Sequence, residues 1–211
     1  MSGQITEEML IALRGEICAH LSPYRAAHTL GVEAMAAELA ALYCPEKTTL
    51  LRAAALLHDV TKEWSNEAHL EVIKRKGVSL REDELASPQI WHAITAAAII
   101  GEGYASFASA ELISAVRWHA TGRVGMTLTE ALIYLADYME RGRTYGDCVA
   151  VREAFFGADP QNMPQAMRRR HLRDVLLLSY EKTVGKLQSR GQGICADTLD
   201  AMADLKNKAE I

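Results

Sequence analysis

The sequence predicts an all-α protein, and two observations carry this prediction. Apolar residues recur with the helical period of about 3.6 residues along most of the chain. Few stretches alternate with the strand period of two, and only 5 prolines interrupt the 211 residues. Hydrophobic residues make up 49% and charged residues 24% of the chain, which is typical of a globular protein and excludes a disordered one.

Local signals place the first helices. A helix is predicted over residues 6–20. Ser22 is the predicted N-cap of a second helix, because Pro23 suits the first helical position, and this helix ends near Leu42. The run LLRAAALLHD is apolar nearly all round, which indicates a buried central helix that starts near Lys47.

The helical pattern continues to the end of the chain. Further helices are predicted over 65–76, 88–101, 109–119, 147–156, 164–189 and 197–208. Thr127 and Glu130 form a T-x-x-E capping box, which predicts the start of the helix ALIYLADYMERG. The length indicates one domain over residues 1–211, with a core of about 22–145 and a C-terminal helical extension of about 147–211.

Charge and composition exclude several classes of protein. The net charge is −4, whereas a dedicated nucleic-acid binder is expected to be basic. The N-terminal residues lack a basic stretch followed by an apolar one, and no apolar run reaches ~18 residues, so we expect a cytoplasmic protein without a membrane span. The 4 cysteines form no CxxC pair and are expected to be reduced thiols in the core.

Polar residues within the buried helices indicate a metal site. His58 and Asp59 end the run AAALLHD, Asp137 follows the apolar run of IYLADYME, and His28 lies in an earlier helix. A buried carboxylate needs a cation or strong hydrogen bonds, because its desolvation is costly. Two imidazoles and two carboxylates suit divalent iron, manganese, cobalt or magnesium, with positions left for water and phosphate oxygens. The alternative is that each residue is an ordinary core residue, as a single buried histidine usually is.

The order H…HD…D on three successive helices resembles the signature of the HD-domain metal-dependent phosphohydrolases. The resemblance is greatest to their bacterial YqeK-type branch, whose segments match residues 24–40, 54–64, 88–93, 117–143 and 196–199 in order. It implies an HD-type helical bundle around a central metal site. It also implies an enzyme, a symmetrical bis(5'-nucleosyl)-tetraphosphatase, which hydrolyses diadenosine tetraphosphate to two ADP.

The resemblance also implies roles for individual residues. The metal, with iron favoured, would be held by His28, His58, Asp59 and Asp137. Catalytic roles fall on Lys62, His92 and His119. The implied nucleotide contacts are Arg25, Asp59, Val60, Thr61, Lys62, His92, His119, Ala120, Asp137, Arg143, Ile194, Cys195, Ala196, Asp197, Thr198 and Leu199. The chain departs from the family pattern at Ala120, where a threonine is frequent, and at Arg141, where a proline is frequent.

Two other functions stay open at this point. One is a different HD phosphohydrolase, which acts on nucleoside mono- or triphosphates. The other is a nucleotide-sensing module that binds its ligand without turnover. The complete ligand set with His92 and His119 favours turnover. The expected partner is a small nucleotide, with no nucleic acid and no membrane, and the sequence leaves a homodimer open.

Other prominent residues have simpler interpretations. His20, His69 and His171 are predicted to lie at the surface or at helix ends. The three tryptophans are expected to pack in the core, with stacking on an adenine ring as the alternative. A basic run at helical spacing is expected to face solvent; its members are Arg168, Arg169, Arg170 and Arg173.

Overall fold

A computed structural model describes residues 4–211; residues 1–3, which the domain prediction includes, lie outside the described residues. Over residues 4–211 the chain forms α-helices and short 3₁₀ turns, with no β-strand, so the all-α prediction is confirmed. The helices are α1 (Glu7–His20), α2 (Pro23–Tyr43), α3 (Thr48–Leu57), α4 (Asn66–Arg75), α5 (Glu82–Leu85), α6 (Trp91–Gly103), α7 (Ala110–Trp118), α8 (Leu128–Met139), α9 (Gly146–Gly157), α10 (Gln165–Ser189) and α11 (Ala196–Lys206).

The predicted caps begin the helices that carry the site. The hydroxyl of Ser22 accepts from the amide of Arg25 at 3.3 Å, with Pro23 at the first position of α2. The hydroxyl of Thr127 accepts from the amide of Glu130 at 3.3 Å, and the Glu130 carboxylate accepts from the Thr127 amide at 2.7 Å. The start of α2 and that of α8 are therefore fixed by short-range hydrogen bonds.

Helix α3 is the centre of the bundle. Its residues from Ala53 to Leu57 are fully buried, and it packs against α1, α2, α7 and α8. Three consecutive alanines let the neighbouring helices approach closely, since they add little side-chain volume. The helix ends just before His58, and a series of turns follows to Trp64. The C-terminal end of this buried helix therefore lies in the middle of the molecule.

Two details of the fold differ from the predicted elements. Pro88 begins a 3₁₀ turn over Pro88–Ile90 rather than an α-helix, and α6 starts at Trp91. The four-residue helix α5 has no counterpart among the predicted helices. Both are short, and periodicity needs several turns to become visible.

The C-terminal helices pack on the same core. Leu172, Leu176 and Tyr180 of α10 are fully buried. Gly122, in the turn after α7, has a φ of +68°, and a Cβ there would lie 1.7 Å from the Tyr180 hydroxyl. This turn therefore requires glycine both for its left-handed backbone and for the close approach of α10. Within residues 4–211, no helix is long and apolar enough to cross a membrane.

Candidate metal centre and nucleotide cavity

The four predicted metal ligands meet at the centre of the bundle. His28 lies in α2, His58 and Asp59 directly follow α3, and Asp137 lies in the last turn of α8. Nε2 of His28 is 3.0 Å from Oδ1 of Asp137 and 3.7 Å from Oδ2 of Asp59. Nε2 of His58 is 3.4 Å from Oδ2 of Asp59 and 3.8 Å from Oδ1 of Asp137. Residues more than 100 positions apart thus form one cluster.

The two imidazoles are oriented as metal ligands are. Nδ1 of His58 is 2.6 Å from the carbonyl of Ala55, and Nδ1 of His28 is 3.2 Å from Oε1 of Glu140. Their Nε2 atoms are buried and have no hydrogen-bond partner among residues 4–211. The ligand atoms of His28, His58 and Asp137 lie within 4.8 Å of one another, close to the separation of atoms that share one ion at about 2.0–2.2 Å. The residues present therefore fit a divalent metal.

A second histidine pair lies beside this cluster. The Nε2 atoms of His92 and His119 are 3.1 Å apart, and they lie 3.4 and 3.7 Å from Oδ1 of Asp59. Nδ1 of His119 is 2.7 Å from the carbonyl of Val116, which orients the ring. Burial lowers the pKa of both rings, and the charge of Lys62 lowers the pKa of His92 further. Both imidazoles are therefore neutral at neutral pH.

Three cations surround the carboxylates. Nη1 of Arg25 donates to Oδ2 of Asp59 at 2.6 Å, and Arg143 donates to Asp137. Nζ of Lys62 lies 3.1 Å from each ring nitrogen of His92, and burial lowers the pKa of this lysine. Burial opposes ionisation of both carboxylates, but the imidazoles beside Asp59, and Arg143 beside Asp137, hold their pKa values well below the ordinary value. The site can therefore offset the charge of a polyphosphate.

An inner cavity of about 250 Å³ opens from the cluster toward the C-terminal helices. We call it the inner cavity; its walls are Lys62, Gln89, Ile90, His92, His119, Ala120, Tyr134, Asp137, Tyr138, Arg143, Thr183, Leu187, Gly193, Cys195 and Thr198. The hydroxyl of Tyr138 is buried there without a hydrogen-bond partner among residues 4–211. The mixture of apolar walls and convergent polar groups is typical of a small-molecule site.

A second cavity of about 200 Å³ is lined by three of the four predicted ligands, His28, Asp59 and Asp137. We call it the outer cavity; its walls are Tyr24, Arg25, His28, Asp59, Lys62, Asp137, Arg143 and Tyr145. It shares Lys62, Asp137 and Arg143 with the inner cavity. A ligand that crosses the cluster could therefore contact both cavities.

The predicted C-terminal contacts divide into two groups. Cys195 and Thr198 line the inner cavity. The Ala196 amide donates to Asp83, and Asp197 accepts from Arg81 at 2.7 Å. Ile194 is half-buried and Leu199 is exposed, and neither lines the inner cavity. The segment therefore contributes two side chains to the cavity, and Ala196 and Asp197 join it to the start of α5.

The predicted contacts that follow α3 and α7 lie in different surroundings. Ala120 lines the inner cavity, whereas Val60 is buried in the hydrophobic core. The hydroxyl of Thr61 donates to the carbonyl of His92 at 2.9 Å, and it lies 2.9 Å from the Thr95 hydroxyl. Thr61 thus joins the turn after α3 to the first turn of α6.

Two polar residues near the site, Glu140 and His69, have contacts that the sequence does not predict. Glu140 is buried and faces His28; the only signal in the sequence is a second acid three residues after Asp137. His69, predicted at the surface or at a helix end, lies in the first turn of α4 but is buried, with Nδ1 2.9 Å from the Thr95 hydroxyl. Most residues of α4 are polar, so the sequence of this helix does not distinguish one buried histidine from the exposed residues. Its hydrogen-bond partner, Thr95, lies 26 residues away.

The basic run of α10 is less exposed than predicted, because Arg168, Arg169 and Arg173 are half-buried. Arg168 donates to the backbone carbonyls of Leu42, Pro160 and Met163, and so joins the end of α2 to the start of α10. Only Arg170 is exposed as expected, so the prediction that the whole run faces solvent is wrong for the other three.

A helical bundle whose buried histidines and aspartates converge beside cations defines a metal-dependent hydrolase. Residues 25–142 match the family described as HD domain. The chain therefore belongs to the HD domain family, whose members are metal-dependent.

Individual relatives extend the match beyond this region. The chain is 28% identical over 192 residues, 91% of its length and 92% of the relative's, to the symmetrical bis(5'-nucleosyl)-tetraphosphatase of Bacillus subtilis (strain 168). It is 35% identical over 118 residues, 56% of its length and 59% of the relative's, to the protein of that name from Staphylococcus aureus. A solved structure of a predicted HD superfamily hydrolase involved in NAD metabolism, from Clostridium acetobutylicum, superposes with a TM-score of 0.82 at 25% identity, covering 97% of this chain and 99% of that one.

Proposed function

We propose that this protein is a symmetrical bis(5'-nucleosyl)-tetraphosphatase that hydrolyses diadenosine tetraphosphate to two ADP. The observation that carries the proposal is the cluster of two histidines and two aspartates beside three cations, with two adjoining cavities. A long polyphosphate with a nucleoside at each end suits that arrangement. The curated relatives that bear this enzyme name support it.

The reaction consumes one water molecule. The water oxygen forms a bond to a phosphorus next to the middle of the chain, and the central bridging P–O bond breaks. The leaving ADP takes the bonding electron pair and gains a proton, while the attacking water loses its protons to the site and solvent. Two ADP molecules result, and no oxidation or reduction is needed.

The proposed metal ligands are His28, His58, Asp59 and Asp137. Iron is the proposed metal because the resemblance to the HD-domain phosphohydrolases implies it; two imidazoles with two carboxylates also suit manganese, cobalt or magnesium. When bound, such an ion would lower the pKa of a water molecule and polarise a phosphoryl oxygen.

The remaining residues would bind and orient the polyphosphate. Lys62, Arg25 and Arg143 neutralise its charge, since each already contacts the ligand cluster or the histidines beside it. His92 and His119 are the proposed proton donors or phosphate anchors near the bond that breaks. Their paired Nε2 atoms, held 3.1 Å apart, support this role. The proposed unit is one domain, in which the extension over about 147–211 completes the inner cavity.

Product analysis tests the proposal directly. The purified protein, loaded with ferrous iron under anaerobic conditions, is incubated with diadenosine tetraphosphate, and the products are separated by chromatography. We expect ADP as the only nucleotide product. AMP with ATP would contradict symmetrical cleavage, and tight ADP binding without cleavage would indicate a sensing module.

Replacing ligands separates metal binding from folding. In His58→Ala and Asp59→Ala we expect loss of bound metal and of activity, with the helical circular dichroism signal retained. Full metal content and full turnover in Asp59→Ala would contradict the proposed ligand set. In His119→Ala, a fall in kcat of about 10²–10⁴-fold indicates general acid catalysis, whereas a rise in KM alone indicates a phosphate anchor.

A further inference from the structure

We propose that the outer cavity binds the second nucleoside of the substrate, with the rings of Tyr24 and Tyr145 as its stacking surface. This inference rests on the proposed function and extends it, because it divides the two halves of diadenosine tetraphosphate between two different cavities.

The outer cavity lies next to the proposed metal ligands, because His28, Asp59 and Asp137 line it. Lys62, Asp137 and Arg143 line both cavities, so the two cavities adjoin at one proposed metal ligand and two cations. A substrate that is cut in the middle of its phosphate chain has a nucleoside on each side of the cut. If one half occupies the inner cavity, its phosphates end at the cluster, and the other half continues on the opposite side.

The outer cavity contains both cationic and aromatic side chains. Arg25, Lys62 and Arg143 supply three positive charges for phosphate oxygens near the cluster. Its walls also include two large aromatic side chains that the fold leaves exposed, Tyr24 at 71% and Tyr145 at 57%. Three cations and two exposed aromatic rings in one cavity match the phosphates and the base of a nucleoside diphosphate.

The backbone around both rings is well fixed, although the rings are exposed. Tyr24 lies in the first turn of α2, where Ser22 donates its backbone amide to Glu63 at 2.8 Å. Tyr145 is the N-cap residue of α9, and its ring lies 5.3 Å from Nζ of Lys186. A ring on a fixed helix end loses little conformational freedom when a base stacks on it.

The two cavities would therefore recognise their nucleosides in different ways. The inner cavity is lined by buried side chains such as Ile90 and Thr198, which would contact the nucleoside bound there. The outer cavity offers ring faces, which attract any base because every base has a π-face. We expect the second nucleoside to add affinity without a requirement for one particular base.

The experiment compares two substrates that differ in the second nucleoside. Diadenosine tetraphosphate has it, whereas adenosine 5'-tetraphosphate lacks it and would yield ADP and pyrophosphate. The ratio of kcat/KM for the first substrate to that for the second measures what the second nucleoside contributes. This ratio is determined for the wild type, Tyr24→Ala, Tyr145→Ala and the double variant.

We expect the ratio to fall by about 5- to 30-fold in the double variant, which is the range of one aromatic stacking contact at an exposed site. Tyr24→Phe and Tyr145→Phe keep the rings and should keep the ratio. Met167→Ala is the matched control, because Met167 is an exposed apolar side chain that lines neither cavity.

The outcomes separate this inference from the proposed function. An unchanged ratio in the double variant, with normal cleavage of diadenosine tetraphosphate, overturns the second subsite and leaves the proposed function intact. Absence of cleavage by the wild type overturns the proposed function itself. Equal losses for both substrates place the tyrosines outside nucleoside binding and also overturn the inference.

Discussion

The ring of His28 is held by a carboxylate that is not a proposed metal ligand. Glu140 is buried and accepts the Gly142 amide through Oε2 at 2.6 Å, while its Oε1 faces Nδ1 of His28. A Cβ on Gly31 would lie 2.5 Å from Glu140 Oε2, so the close approach of this carboxylate to α2 requires glycine at that position. An N–H of His28 bonded to Glu140 leaves Nε2 free for a metal.

Glu140→Gln tests this arrangement. We expect an affinity for the metal that is about 10- to 100-fold lower, because the ring loses the charge that orients it and raises its basicity. Metal content is measured after dialysis against a series of chelator concentrations. Glu38→Gln is the control, since Glu38 pairs with the exposed side chain of Arg141. Equal metal affinity in both variants would contradict the role of Glu140.

The four cysteines differ in burial, since Cys18 is half-buried and the other three are buried. Burial raises the pKa of Cys44 to about 11 and that of Cys195 to about 12. A thiol whose pKa is raised in this way stays protonated at pH 8. Cys195 therefore adds no negative charge to the inner cavity, whose proposed ligand is an anion.

Alkylation at pH 8 tests the state of these thiols. We expect iodoacetamide to modify the half-buried Cys18 first and Cys195 slowly, with all 4 cysteines modified at similar rates in denaturant. Peptide mass spectrometry gives the order of modification. Rapid labelling of Cys195 in the native protein would contradict its protonated, buried state.

Helix α8 begins with a capping box whose acid has further partners. Glu130 is fully buried, and besides the Thr127 amide it accepts from Nε of Arg123 at 3.0 Å and from the Ser114 hydroxyl. The capping box therefore also joins α8 to α7. Since Asp137 lies at the other end of α8, this cap helps to place a proposed metal ligand.

Loss of the Thr127 hydroxyl should lower stability without changing chemistry. For Thr127→Ala we expect the free energy of unfolding to fall by about 1 kcal/mol, the usual cost of an N-cap. Urea denaturation measures it, and Thr127→Ser should retain most of the stability. A stability equal to that of the wild type would show that Glu130 and its other partners suffice to fix the helix start.

The helices were predictable where their signals are local. Ser22 and Thr127 cap helices through atoms three residues away, so four letters of sequence suffice to predict them. The order H…HD…D likewise predicts that His28, His58, Asp59 and Asp137 lie together. The contact of His28 with Glu140 joins residues 112 positions apart, and the exposure of Tyr24 depends on what fails to pack against it. Neither the His28–Glu140 contact nor the exposure of Tyr24 can be predicted from neighbouring residues in the sequence.

At the scale of the whole molecule, the C-terminal part completes what the matched HD region begins. The family match ends at residue 142, yet the inner cavity takes Thr183, Leu187, Cys195 and Thr198 from α10 and α11 with the loop between them. A bundle ending near residue 145 would hold the metal ligands but would leave this cavity without one wall. The proposed metal ligands thus all lie in the matched region, whereas the inner cavity takes its walls from both parts of the chain.

One ionic link ties the cavity wall to the HD region. Nη2 of Arg81 donates to Oδ2 of Asp197 at 2.7 Å, and Nε of Arg81 donates to Asp83 at 3.1 Å. Asp83 in turn accepts the Ala196 amide at 2.8 Å. Arg81 is exposed enough that this link is worth no more than an ordinary surface ion pair.

Arg81→Ala should therefore weaken nucleotide binding and leave the metal in place. We expect KM for diadenosine tetraphosphate to rise about two- to fivefold with kcat nearly unchanged, because Cys195 and Thr198 are held less firmly against the ligand. Steady-state kinetics and metal analysis are measured on the same preparation. Arg75→Ala removes a comparable exposed pair, with Glu102, that lines neither cavity, and it should change neither quantity. A loss of metal or a fall in kcat in Arg81→Ala would show that the C-terminal segment acts on the metal centre rather than on the nucleotide.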